Sequence, residues 1–299
     1  MSIAVLPRAR HRSAPLLLLA GSGLALAVVV TLAKRAAALG LAPLDFAALS
    51  GALAASGLAL VLRRERRGRS GLVDGRWAVQ AAVLGVVSYA VPNIAQAWVA
   101  AHVGAGYAAM MLALTPLITL ALALLLGTEP LRLGVVAGLM LGLAGVWCLV
   151  LPRWQWQGGS AGALLAGLIA PLANAAGNLL RARLLRDTAR SPLDNACMVL
   201  STAALCLVPL ALSQGLLARI TPHGVGLVLA AGVVMAVFNV LLFRLQACAG
   251  AVWLSQVGYV AGLFGVALSA LFLGEPLRWE MVLAAALIIA GVRQVERQR

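Results

Sequence analysis

The segment from Ala90 to Arg132 returns, without a gap, from Ala236 to Arg278. The offset is 146 residues and fourteen of 43 positions are identical. Matches between Ala or Leu carry little weight in so apolar a chain. The pair Asn93 and Asn239, the pair Gly104 and Gly250, and the shared ending Glu-Pro-Leu-Arg at 129–132 and 275–278 carry more. A chain that repeats itself builds two like units, and what lies between the copies sets how the units are related. Ten apolar stretches can be drawn, at 15–33, 44–62, 77–99, 104–126, 133–151, 160–180, 193–213, 224–243, 249–273 and 277–292. Most approach the ~20 residues a helix needs to cross ~30 Å of hydrocarbon. Five spans per unit is an odd number, so the second unit enters the membrane upside down. The expected fold is therefore all-α and integral to the membrane, with ten transmembrane helices in two inverted-topology five-helix repeats, 1–152 and 153–299. Inverted halves that meet near the midplane are a construction of secondary transporters.

Composition agrees. The chain is 63% hydrophobic and 11% charged, with mean hydropathy +0.99; soluble domains are about 45–50% apolar and about 25% charged. The net charge of +14 invites a nucleic-acid reading, but its distribution argues against one. With the N-terminus inside, 18 Lys and Arg residues fall on the inner side and 5 on the outer. That bias fits the positive-inside rule and places both termini in the cytoplasm. The basic start followed by an apolar run resembles a secretion signal, but the run is longer than a typical h-region, so a retained first span is expected. Cys148, Cys197, Cys206 and Cys248 stand singly in apolar surroundings and read as packing residues. The expected partners are the lipid bilayer and a small molecule, with no nucleic acid and no cofactor.

Polar side chains inside hydrocarbon are costly and face a bundle interior or a cavity. Mid-span amides concentrate on spans 3, 6, 8 and 9: Asn93 and Gln96, Asn174 and Asn178, Asn239, and Gln256. Tyr89, Asn93 and Gln96 share one helical face at i, i+4 and i+7, and Asn174 and Asn178 share another. Amides offer donors and acceptors to a zwitterion or polar metabolite. Any one of them also suits interhelical hydrogen bonding, and that alternative stays open. Tyr107 and Trp253 occupy equivalent repeat positions; with Tyr89 and Tyr259 they are candidates to contact an apolar substrate group, ordinary helix packing being the alternative. Trp77, Trp98, Trp154, Trp156 and Trp279 lie near span ends, as an interfacial belt would.

All nine Asp and Glu residues fall near span ends or in loops. Proton-coupled carriers commonly hold a carboxylate or His at depth, so uniport, exchange, or coupling without a buried carboxylate is expected. Arg181, Arg183 and Arg244 read as residues of the cytoplasmic face, which disfavours a phosphorylated substrate. No GxSxG, Walker A or HExxH motif occurs, and no enzyme activity is expected. Gly134, Gly138, Gly142 and Gly145 form a small-residue stripe on span 5, suited to packing within a monomer or to homodimerisation.

The ending of each fourth span, Leu126-Gly127-Thr128-Glu129-Pro130-Leu131-Arg132 and Leu273-Gly274-Glu275-Pro276-Leu277-Arg278, together with the ten-span repeat, resembles the EamA-type members of the drug/metabolite transporter superfamily. The first copy departs by inserting Thr128. Pro116 matches the proline common within the fourth helix, where the second copy has Gly262. The resemblance covers essentially the whole chain. It implies a bacterial inner-membrane exporter, most like those of amino acids, the aromatic branch among them, working by alternating access. A multidrug exporter of the same fold is the alternative, and a non-transporting scaffold or enzyme the second. Glu129, Arg132, Glu275 and Arg278 are either helix-end residues or a gate, and Pro116 is a candidate hinge.

Overall fold

The computed structural model describes residues 13–66, 74–127, 133–156, 161–185, 190–216 and 220–297. Every regular element among them is helical. In chain order these are α1 (Ser13–Ala38), α2 (Pro43–Arg66), α3 (Gly75–Gly85), a π-helical turn (Val86–Ala90), α4 (Val91–His102), α5 (Ala105–Leu112), α6 (Thr115–Leu125) and α7 (Leu133–Trp156). There follow α8 (Ala161–Ala166), α9 (Ile169–Leu184), α10 (Pro192–Ser213), α11 (Pro222–Ser255), α12 (Val257–Leu273) and α13 (Trp279–Glu296). Among the described residues six helical runs are long and apolar enough to cross a bilayer; α12 and the apolar parts of α7 and α13 are shorter.

Local chemistry explains several ends. Pro43 and Pro192 open α2 and α10, where a missing N–H costs nothing. Ser191 and Asp194 form a reciprocal capping box at the start of α10, with Asp194 N donating to Ser191 Oγ at 3.1 Å. Between α4 and α5 the chain turns at Gly104, whose φ of 136° favours glycine. Its repeat partner Gly250 lies inside α11, so the expected spans at 224–243 and 249–273 are joined in one helical run. That run is not straight. Gly21 faces Leu241 and Gly23 faces Val260, neighbouring levels of α1. A straight helix from Leu241 to Ser255 would advance ~21 Å, so the chain doubles back between these contacts.

Each part of the chain finds its partners in the other. α1 packs on α11 and α12, α9 on α4 and α6, α2 on α10, α5 on α12 and α7 on α13. The pairing of α7 with α13 uses the small-residue stripe: a Cβ at Gly291 would lie 2.5 Å from the Gly138 carbonyl oxygen. Gly138 and Gly142 are thus in contact with Gly291 of the same chain. α5 and α12 run antiparallel. Gly106 faces Ser269, Gly265 faces Ala109, Gly262 faces Ala113, and Gly258 faces Leu112. Lipid gives helices no hydrophobic reason to associate, so such close backbone approach supplies the packing.

Candidate functional site

A cavity of about 60 Å³ lies where these helices converge, room for several water molecules. Its wall takes Tyr89, Asn93 and Gln96 from the third span, Asn174 and Asn178 from α9, and Asn239 from α11. Six of the expected polar positions are thus brought together by helices from both parts of the chain.

A defect in helix geometry shapes one wall. Pro92 has no N–H for the Ser88 carbonyl, and the helix widens just before it, with Val91 N bonded to the Val86 carbonyl. Such π-helical turns re-aim side chains. Tyr89, on this turn, is buried and its hydroxyl donates to the Ala47 carbonyl at 3.3 Å. Ser88 Oγ, also in the wall, has no hydrogen-bond partner.

The two repeat-related asparagines make the same local bond. Asn93 Nδ2 donates to the Tyr89 carbonyl at 2.8 Å, and Asn239 Nδ2 to the Met235 carbonyl at 3.0 Å. Each bond reaches back four residues. A carbonyl only accepts, so each amide nitrogen spends one of its two N–H groups on its own helix, and each Oδ1 remains an acceptor. Gln96 differs. Its Nε2 donates to the Ala108 carbonyl at 2.6 Å and ties α4 to α5, so it lines the cavity and binds helices together at once.

At one end of the bundle, here the Lys34 face, the two parts are latched. Glu275, in the loop between α12 and α13, accepts from Ala105 N at 2.9 Å through Oε1 and from Gly106 N at 2.9 Å through Oε2. These are the first N–H groups of α5, where a carboxylate also meets the favourable end of the helix dipole. Lys34, at the end of α1, pairs with the same carboxylate, and Arg35 Nη2 donates to the Phe272 carbonyl at 2.7 Å. Burial alone would raise the Glu275 carboxyl; Lys34 and the Gly106 and Ala105 N–H groups outweigh it and hold the carboxyl below its ordinary value.

Toward the opposite end the wall is closed by a residue that the sequence placed at the membrane surface. Arg181 is only 4% exposed and lines the cavity one turn beyond Asn178. Its guanidinium lies 5.1 Å from the centroid of the Phe243 ring. Its Nε and Nη1 have no hydrogen-bond partner. On its far side is a second, wider cavity of about 270 Å³, bounded also by Arg190, Asn195 and Gln246. A signal for Arg181 was present: it stands at i+7 from Asn174 and i+3 from Asn178, on their face of the helix.

Other expected residues lie elsewhere. Tyr107 is fully buried in an apolar cluster with Met110, Met111 and Leu112. Tyr259 faces a small separate void beside Met110 and Ala285. Gln256 sits at the turn before α12 and is not in the cavity wall. Trp253 lies in α11, and its side chain is outside the described residues, as are Glu129 and Arg132. Pro116 opens α6 after a break at Ala113–Leu114. Arg278 stands half-buried in the loop after α12. Trp77 is buried within the protein, with Nε1 donating to Asn195 Oδ1 at 3.2 Å and Arg190 over its ring at 4.6 Å. Among the described residues no cluster of His, Cys, Asp or Glu is arranged to hold a metal ion.

Comparison with known proteins agrees with this arrangement. The EamA-like transporter family matches the chain twice, at residues 13–151 and 161–295. A solved crystal structure superposes with a TM-score of 0.65 over 96% of this chain and 99% of its own, at 20% identity. That likeness concerns the fold. No curated protein matches.

Proposed function

Because the chain belongs to the EamA-like transporter family, we propose that it exports small polar metabolites, amino acids foremost, across a bacterial inner membrane by alternating access. The observation that carries this reading is the cavity between the two repeats, to which Asn93 and Asn239 contribute from equivalent positions with equivalent bonds. An interior lined by amides offers a solute the hydrogen bonds it gives up on leaving water. Antiparallel packing of α5 against α12 supports the inverted relation of the halves, and the doubling back within α11 supports a ten-span count.

Alternating access needs one end shut while the other admits solute. The Glu275 latch supplies a closed end at the Lys34 face, and the wider cavity beyond Arg181 supplies an approach from the other. With the positive-inside count, the Lys34 face is periplasmic and the state is closed to the outside. Glu275 then acts as a gate: release of its three contacts frees the start of α5 and the end of α1 together.

Counterflow tests the reading. Proteoliposomes loaded with one unlabelled amino acid at a time are given the matching radiolabelled one, with and without a pH gradient. Transient accumulation of one chemical class, indifferent to the gradient, is expected. Absence of accumulation for every amino acid removes this substrate class.

A further inference from the structure

Among the described residues Arg181 has no ionic partner, and its surroundings make that costly. Taking a guanidinium out of water is expensive unless a countercharge or further hydrogen bonds compensate. Here Nε and Nη1 are unpartnered, the ring of Phe243 covers one face, and no Asp or Glu lines either adjoining cavity among the described residues. Yet the side chain is held in the cavity wall by α9, on the same face as Asn174 and Asn178. We infer that Arg181 is the carboxylate-binding residue of the cavity, and that the transported solute carries a single carboxylate held there. The inference rests on the transporter reading above.

Chemistry narrows the anion. A planar guanidinium presents its N–H groups in forks that match the two oxygens of a carboxylate. One cation balances one negative charge. A phosphate monoester would bring up to two, and among the described residues no second Lys or Arg lines this cavity. The cavity also has a polarity. Arg181 supplies only donors, whereas Asn93 and Asn239 each spend one amide N–H on a backbone carbonyl and present an acceptor oxygen that Arg181 lacks. A zwitterion fits with its carboxylate at Arg181 and its ammonium at the Asn93 and Asn239 oxygens. A solute bearing only positive charge meets an uncompensated arginine and is disfavoured. That bears on the choice of substrate class, since lipophilic cations are common among multidrug substrates.

The test compares acids with their amides. Proteoliposomes of the full chain are assayed for counterflow of leucine, phenylalanine and threonine, and of leucinamide, phenylalaninamide and threoninamide. Arg181→Gln and Arg181→Lys are assayed beside the wild type. The wild type is expected to carry acids and to reject amides by about tenfold or more, the worth of a charge-assisted hydrogen bond. Arg181→Gln is expected to lose that preference by raising KM for the acid, while Arg181→Lys keeps part of it. Equal transport of acid and amide by the wild type overturns the inference, and this comparison needs no variant. So does an Arg181→Gln protein that still prefers acids as the wild type does. Ethidium and glucose, run in the same vesicles, separate two failures. If one of them exchanges and no acid does, Arg181 does not bind a substrate carboxylate and the chain is still a carrier. If nothing exchanges, the transporter reading falls as well.

Discussion

Replacing Glu275 by Gln should open the Lys34 face. The substitution keeps the shape of the side chain and removes its charge. One of the two oxygens that accept from Ala105 N and Gly106 N becomes an NH₂ group that faces a donor. Hydrogen bonds to a charged group contribute about 1.5–3 kcal/mol, and a negative charge at a helix N-terminus about 0.3–1 kcal/mol. The ion pair with Lys34 adds little, because the Lys34 side chain is 31% exposed. These contributions overlap, so the closed state should lose roughly 2–3 kcal/mol relative to the open one. At tenfold per 1.4 kcal/mol, the open population rises about 30- to 150-fold. Ala33→Cys provides the reporter, since Ala33 is buried in the cavity wall one residue before Lys34. In a background with Cys148, Cys197, Cys206 and Cys248 replaced by Ser, its labelling by a membrane-impermeant thiol reagent is timed in right-side-out and inverted vesicles. Glu275→Gln should speed labelling from the Lys34 side alone. A folded variant whose labelling rate stays within about threefold of the parent refutes the latch, since a loss of this size changes the open population far more.

The latch also has a pH signature. The Glu275 carboxyl is held below its ordinary value, so its contribution is complete above the ordinary carboxylate pKa of about 4.3 and is lost as pH falls through the depressed one. Thiol labelling from the Lys34 side, corrected for thiolate fraction, should be flat from about pH 5.5 to 8, and acceleration near pH 6 would count against the assignment. Gly258→Ala puts a Cβ 2.1 Å from the Leu112 carbonyl oxygen; backbone gives way poorly, so it should cost about 1–3 kcal/mol or more, seen as a lowered melting temperature in detergent. Gly57→Ala, with nothing within 4 Å, should leave that temperature unchanged or slightly raised. Asn93→Ala and Asn239→Ala should raise the counterflow KM by similar factors, about tenfold each; a loss confined to one of them would break the equivalence of the two halves.

The repeat and the apolar periodicity made most helices legible, because a bilayer enforces length and hydrophobicity span by span. The amides of the cavity were legible for the same reason: hydrocarbon penalises them unless they point inward. Arg181 was not read as part of that set, because an arginine near a span end satisfies the positive-inside rule wherever its side chain points. Only packing against Phe243 and the chain's other half turned it inward. Tyr107 and Trp77 show where the sequence leaves a choice open. An aromatic ring is equally at home in a cavity wall, a packed core or an interface, and its position in a span does not choose among them. The different courses at Gly104 and Gly250 could not be read either, since both glycines permit the same turn.

Leu112 and Gly258 are separated by 146 residues, the interval that relates the copies, and they touch. A contact between equivalent positions maps onto itself when the halves exchange roles. A chain made of two identical halves would therefore bring a residue against its own duplicate at this crossing. Two leucines there would collide, and two glycines would leave a gap. The present pair resolves this by divergence. Pro116 lacks the N–H that would occupy the Leu112 carbonyl, while the other copy is pared down to Gly258 to approach that oxygen, with Gly262 standing where the proline would be. At this crossing the two copies therefore had to differ.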